Sequence, residues 1–133
     1  MARTYQVTFV RSGVTIPVAE DERVLLAGLK AGVPLAFSSD LPVVADPDPW
    51  AGLAAAVADP AGGLTPLQAL RAYTAGGAYA AFAETERGSL EVGRHADFQV
   101  LDRDPFAMAP QKWPGLRPSA VAVGGAPVYG KLL

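Results

Sequence analysis

The feature that most constrains this chain is a change of apolar period. Both ends repeat every second residue and the middle repeats like a helix. Residues 4–10, TYQVTFV, alternate strictly, with Tyr5, Val7 and Phe9 on one side and Thr4, Gln6 and Thr8 on the other. Val14, Ile16 and Val18 alternate again after Arg11-Ser12-Gly13. Residues 4–18 therefore predict a β-hairpin, with Pro17 confining its second strand to an edge. Residues 96–102 and 118–130 predict three more strands, the last two joined at Gly124-Gly125. Between the ends, 21–31 predicts a helix stopped by Gly32, and 33–38 a short apolar strand. Asp48-Pro49 is an N-cap followed by proline at the first helical position, so 49–58 is expected to be helical. Thr65-Pro66-Leu67-Gln68 is a capping box opening a helix over 66–74. Gly76-Gly77 should interrupt it, with another turn or two of helix over 78–84. The order predicts an α+β fold. Its expected form is a mixed sheet of about five strands, the N-terminal hairpin joined to the C-terminal strands, with helices on one face.

Composition narrows the function classes. The 133 residues are 50% hydrophobic and 18% charged, enough apolar content for a single domain spanning 1–133. Net charge is -2 with no run of one sign, which argues against a nucleic-acid partner. No apolar run approaches the ~18 residues of a membrane span, and the Met1-Ala2-Arg3-Thr4 start is unlike a signal peptide, so a cytoplasmic location is expected. There are no cysteines, which excludes disulfides, thiolate zinc sites and iron–sulfur clusters. There is one histidine, His95.

Four runs carry a resemblance. They are AGVPLAFSSDLPVVADPDPWAGLAAAV, LTPLQALRAYTAGGAYAAF, GSLEVGRHADFQVLDRDPF and AVAVGGAPVY, in that order. Together they make residues 24–133 similar to the end of an amidohydrolase-superfamily enzyme, a metal-dependent hydrolase. The resemblance implies that the first run is the last barrel strand and its loop. The helices would close the barrel, and the GSLEVGRHADF segment would return to a small β-sandwich. It also implies that Asp40 stands where the family's aspartate binds metal or takes a proton from metal-bound water. The family's remaining ligands are histidines from earlier strands. A catalytic zinc usually takes three protein ligands, and a complete (β/α)8 barrel needs about 250 residues, so a complete TIM barrel is not expected here. His95 falls in the sandwich segment, where the family has no ligand.

Residues 1–39 resemble a ferredoxin-like β-grasp start, on the run TYQVTFVRSGVTIPVAEDERVLLAGLKAGVPLAFSS. Ser39 stands where that family's first cluster cysteine would be. The C-x4-C-x2-C spacing puts the next ligand positions at Val44 and Pro47, so no cluster is expected. The two resemblances overlap, which reads as a fusion joined near 24–39.

Other patterns read as structural. Ser38-Ser39-Asp40 lacks a G-x-S-x-G context for a nucleophile. Asp97, Asp102 and Asp104 lack an ordered calcium-loop spacing and read as strand-end and turn acids. Trp50 and Trp113 read as core packing. The expectation is a recombined domain with no hydrolytic activity of its own. It would have no cofactor, no metal and no small-molecule substrate, and would form a homodimer or higher oligomer. The alternatives are a hydrolase remnant holding metal through Asp40 and a partner chain's His95, or an interaction module using the hairpin edge.

Overall fold

The computed structural model describes residues 3–40, 47–60 and 62–132. By internal contacts the chain divides into two compact units, one running to Leu35 and the other starting at Ala36.

The first unit is a hairpin and a helix. Strands β1 (Thr4–Phe9) and β2 (Val14–Ala19) pair antiparallel, Phe9 opposite Val14 and Thr4 opposite Ala19. Gly13 closes the turn at φ 68°, where a side chain would be strained. Helix α1 (Val24–Lys30) starts three residues later than the acids of 21–31 suggest. Glu22 is spent outside it, its N–H on Ala19 O at 3.0 Å and its carboxylate on Lys30 at 3.0 Å. Ala27 and Gly28 are the buried positions of α1. A Cβ on Gly28 would lie 2.6 Å from Phe9 Cζ, so glycine lets the helix backbone sit under the ring.

The second unit carries three helices and a sheet. Helix α2 (Pro49–Ala58) opens on Asp48, whose Oδ1 accepts the Trp50 N–H at 2.9 Å. Helix α3 (Pro66–Tyr73) opens on the complete box: Gln68 N–H donates to Thr65 Oγ1 at 3.2 Å, and Thr65 N–H to Gln68 Oε1 at 2.9 Å. Its buried face is Ala69 and Ala72, while Leu67 of the expected apolar stripe stands 49% exposed. Thr74, at φ -110° and ψ -92°, separates α3 from α4 (Ala75–Ala80). Gly76-Gly77 was expected to interrupt the helix and instead lies inside α4, where Gly76 is buried and glycine permits close packing. Strands β3 (Phe98–Leu101), β4 (Pro118–Val123) and β5 (Ala126–Gly130) form an antiparallel sheet in that order. Gly124 and Gly125 turn between β4 and β5 at φ 57° and 81°, the paired positive angles of a tight hairpin loop.

The fold is α+β with no closed barrel among the described residues. Two expectations are corrected. The five strands form two separate sheets, of two and three strands, and not one. The β1–β2 and β4–β5 pairs close through short local turns, which cost little loop entropy, while β3 reaches β4 through the longer loop over 102–117. Residues 33–38 are not a strand. Pro34 offers no N–H, and Phe37 makes a single backbone bond, its N–H donating to Ala72 O at 3.0 Å.

The core of the second unit is aromatic. Trp50 and Trp113 are 5% and 2% exposed and meet edge to face, centroids 6.2 Å apart at 77°. Such a pair adds ~0.5–1.5 kcal/mol beyond the area it buries. Leu53, Leu70 and Phe106 complete this contact, leaving a crevice of only about 10 Å³.

Asp48 ties this core to the sheet. Its Oδ2 accepts the Gly115 N–H at 2.8 Å and lies 3.6 Å from Arg117 Nη1, while its Oδ1 caps α2. Partial burial pushes its pKa up. The backbone donors Gly115, Trp50 and Ala51, with the charge of Arg117, outweigh that and hold it below the usual carboxylate value. A folded-state pKa below the unfolded one adds stability at neutral pH. That contribution is complete above the unfolded value and is lost as pH falls toward the folded one. Asp48→Ala should lower unfolding stability by about 1–3 kcal/mol, through the lost cap and the stranded Gly115 donor. Asp48→Asn, which keeps a cap, should lose less. Denaturant titrations at pH 7 and pH 3 check this, and the gap between wild type and Asp48→Asn should narrow at pH 3.

Candidate functional site

The segment that leads to Asp40 is held by α3. Besides the Phe37 N–H bond to Ala72, the Phe37 ring packs edge-on against Tyr73, centroids 5.5 Å apart at 81°. Three residues later the backbone of Asp40 turns into the left-handed region at φ 51°. Its N–H donates to Ser38 Oγ at 3.1 Å, so the serine beside the acid caps a turn and is not presented as a nucleophile. Asp40 is exposed, and its carboxylate makes no hydrogen bond or ion pair with a described residue. Of the two remaining ferredoxin ligand positions, Pro47 is half-buried and Val44 lies outside the described residues.

His95 is set by a different device. Arg94 threads the loop before β3, donating from Nη1 to Glu84 O at 2.5 Å and to Arg87 O at 3.3 Å. Its Nη2 pairs with Glu91 at 3.3 Å. This clamp fixes the backbone on which His95 N–H donates to Glu86 O at 2.8 Å. The imidazole is exposed. No hydrogen bond or ion pair joins it to Asp40, so the structure does not bring the two residues together as a pair. Among the described residues, no three histidine, aspartate or glutamate side chains cluster where they could hold a metal ion.

Of Asp97, Asp102 and Asp104, two are spent on backbone amides. Asp97 Oδ1 accepts Gly124 N–H at 2.7 Å, which ties the start of β3 to the β4–β5 turn. Asp104 Oδ1 accepts Phe106 N–H at 2.8 Å and opens a short 3₁₀ turn over Pro105–Ala107. Asp102 instead lines a polar cleft of about 330 Å³ in the loop between β3 and β4, together with Arg103, Lys112 and Arg117. Sequence reasoning passed over this cleft. Its only signal was three cations within a proline-rich loop, at spacings that match no periodic element. The tight partnership of Asp48 with Gly115 was equally hidden, because the two residues are 67 positions apart.

The amidohydrolase family profile matches residues 24–129. The chain belongs to the amidohydrolase family. The match takes in Asp40, the Asp48 cap, the Arg94 clamp and the β3–β5 sheet up to Tyr129, and leaves β1 and β2 outside. The amidohydrolase chain is also similar to YtcJ of Bacillus subtilis (strain 168), whose name assigns it to the amidohydrolases. The two are 38% identical over 64 residues, 48% of this chain and 12% of YtcJ. The chain thus aligns with about an eighth of its relative's length. No solved structure matches it. No described helix of this amidohydrolase chain is long and apolar enough to cross a membrane.

An exposed carboxylate on a left-handed residue contributes little to the fold and is strained in its backbone. Asp40→Ala should shift stability by less than about 0.5 kcal/mol. Asp40→Gly should leave it unchanged or raise it by up to about 1 kcal/mol, since glycine adopts φ 51° freely. Thermal unfolding of the two variants reads both, and a loss of several degrees in either would show that Asp40 is held by contacts.

Proposed function

We propose that these 133 residues form a recombined amidohydrolase domain, joined to a ferredoxin-like β-grasp start, with no hydrolytic activity by themselves. The observation that carries this reading is the setting of Asp40. It occupies the family's metal-binding or proton-accepting position on the resemblance, and its carboxylate stands exposed, with no hydrogen bond or ion pair to His95. A metal-dependent hydrolase activates water by holding a divalent ion through several ligands with one position open. With one histidine in these 133 residues, a second and third imidazole would have to come from outside them.

Self-association belongs to the same reading. Strand β5 is an edge, exposed along its whole length, with Val128 and Tyr129 63% and 60% exposed. An uncovered edge of this kind favours pairing with another chain. A cytoplasmic location, without nucleic acid or membrane as partner, fits the balanced charge.

Elemental mass spectrometry and light scattering on gel-filtered protein test the proposal together. The expected result is well under one divalent ion per chain, no difference on Asp40→Ala, and the mass of a dimer or larger assembly. About one zinc or similar ion per chain, lost in Asp40→Ala, would contradict it and establish a hydrolase site shared between copies. A monomer's mass would overturn the assembly and leave the rest standing.

A further inference from the structure

The loop between β3 and β4 is rigid where it is buried and charged where it is exposed. It is stapled at three points. Asp104 accepts Phe106 N–H at 2.8 Å, Trp113 Nε1 donates to Pro105 O at 2.8 Å, and Gly115 N–H donates to Asp48 at 2.8 Å. Trp113 and Leu116 anchor it in the core at 2% and 9% exposure. Prolines at 105, 110 and 114 fix further backbone angles. Between the staples lies the polar cleft of about 330 Å³.

We propose that this cleft binds a small multivalent oxyanion of the phosphate-monoester type, held between Arg103 and Lys112. The charges decide the sign of the ligand. Arg103, Lys112 and Arg117 against Asp102 leave the lining at +2, in a chain whose net charge is -2. Arg117 is already engaged, 3.6 Å from Asp48 and donating to Leu116 O at 3.0 Å. Counting Asp48 with it still leaves +1. The heads of Arg103 and Lys112 make no hydrogen bond or ion pair with a described residue, so neither must give up a partner to take a ligand.

The shape decides the size. Ligand clefts run from about 300 to 1,000 Å³ and are mostly apolar. This one is at the small end and four of its eight lining residues are charged, which suits a compact ion and not an apolar molecule. A guanidinium offers a planar fork and an ammonium a movable point charge, a pairing that matches the oxygens of a phosphoryl group. Asp102 on the same wall weakens the field, but the lining stays positive, and in a given potential an anion with two charges gains more than one with a single charge. Because the backbone is held in advance, binding has only the two side chains to order.

Amide-resolved NMR of the full chain tests this, with inorganic phosphate added at constant ionic strength against chloride. The expected result is saturable shifts centred on residues 102–117. Arg103→Gln with Lys112→Gln should weaken binding at least tenfold, while Lys112→Arg and the remote Arg71→Gln retain it. All three positions are exposed, and an unchanged spectrum away from the loop verifies that each variant folds. Shifts that never saturate, that chloride reproduces, or that survive the double substitution would overturn the proposal.

Discussion

The carboxylate of Asp48 serves three parts of the second unit at once. One oxygen caps α2 through Trp50. The other receives the Gly115 amide and faces the Arg117 guanidinium. The capped residue, Trp50, packs on Trp113, and Gly115 follows Trp113 by two positions. A local capping interaction and a contact across 67 residues thus meet in one side chain. Each hydrogen bond is worth only about 1 kcal/mol net. Together they hold the two tryptophans against each other. The α2 start and the loop leading into β4, the central strand of the sheet, are consequently positioned by the same few atoms.

Local chemistry was readable from the residues. Asp48-Pro49 and Thr65-Pro66-Leu67-Gln68 announced their helices, because a cap acts within three residues. The hairpin at 4–18 and the Gly124-Gly125 turn were legible for a similar reason, since alternation and positive φ are properties of short stretches. Pairing between distant strands was not legible. Nothing in the alternation of 4–10 says whether its neighbour is 14–18 alone or 119–130 as well, and in the structure β1 pairs with β2. Gly76-Gly77 looked like a break because glycine weakens an isolated helix, yet burial of Gly76 overrides that cost. The apolar run at 33–38 looked like a strand by composition alone, and only the lack of ladder partners shows otherwise.

The site was legible unevenly. Family resemblance pointed to Asp40, and the family match over 24–129 includes it. No residue pattern could show that its carboxylate would stand exposed on a left-handed backbone, because the turn is set by Phe37 on Tyr73 and by the Ser38 hydroxyl. The charged cleft was invisible for a different reason. Arg103, Lys112 and Arg117 come together only after two short 3₁₀ turns and the Trp113 staple have folded the loop on itself. This amidohydrolase-family chain thus combines capped helices, the Arg94 clamp and the β3–β5 sheet with an exposed Asp40 carboxylate. A fold and the sites it carries are argued from different residues.

The most direct measurement is the intrinsic tryptophan fluorescence of the chain through unfolding, followed beside far-ultraviolet circular dichroism. Both tryptophans lie in the second unit, and both depend on the Asp48 contacts for their burial. The account predicts blue-shifted native emission, with a red shift that coincides with the loss of helical signal in one cooperative transition. Emission already typical of water in the native state, or a fluorescence transition well ahead of the helical one, would contradict it. Either result would mean that the Trp50–Trp113 contact does not hold the second unit together.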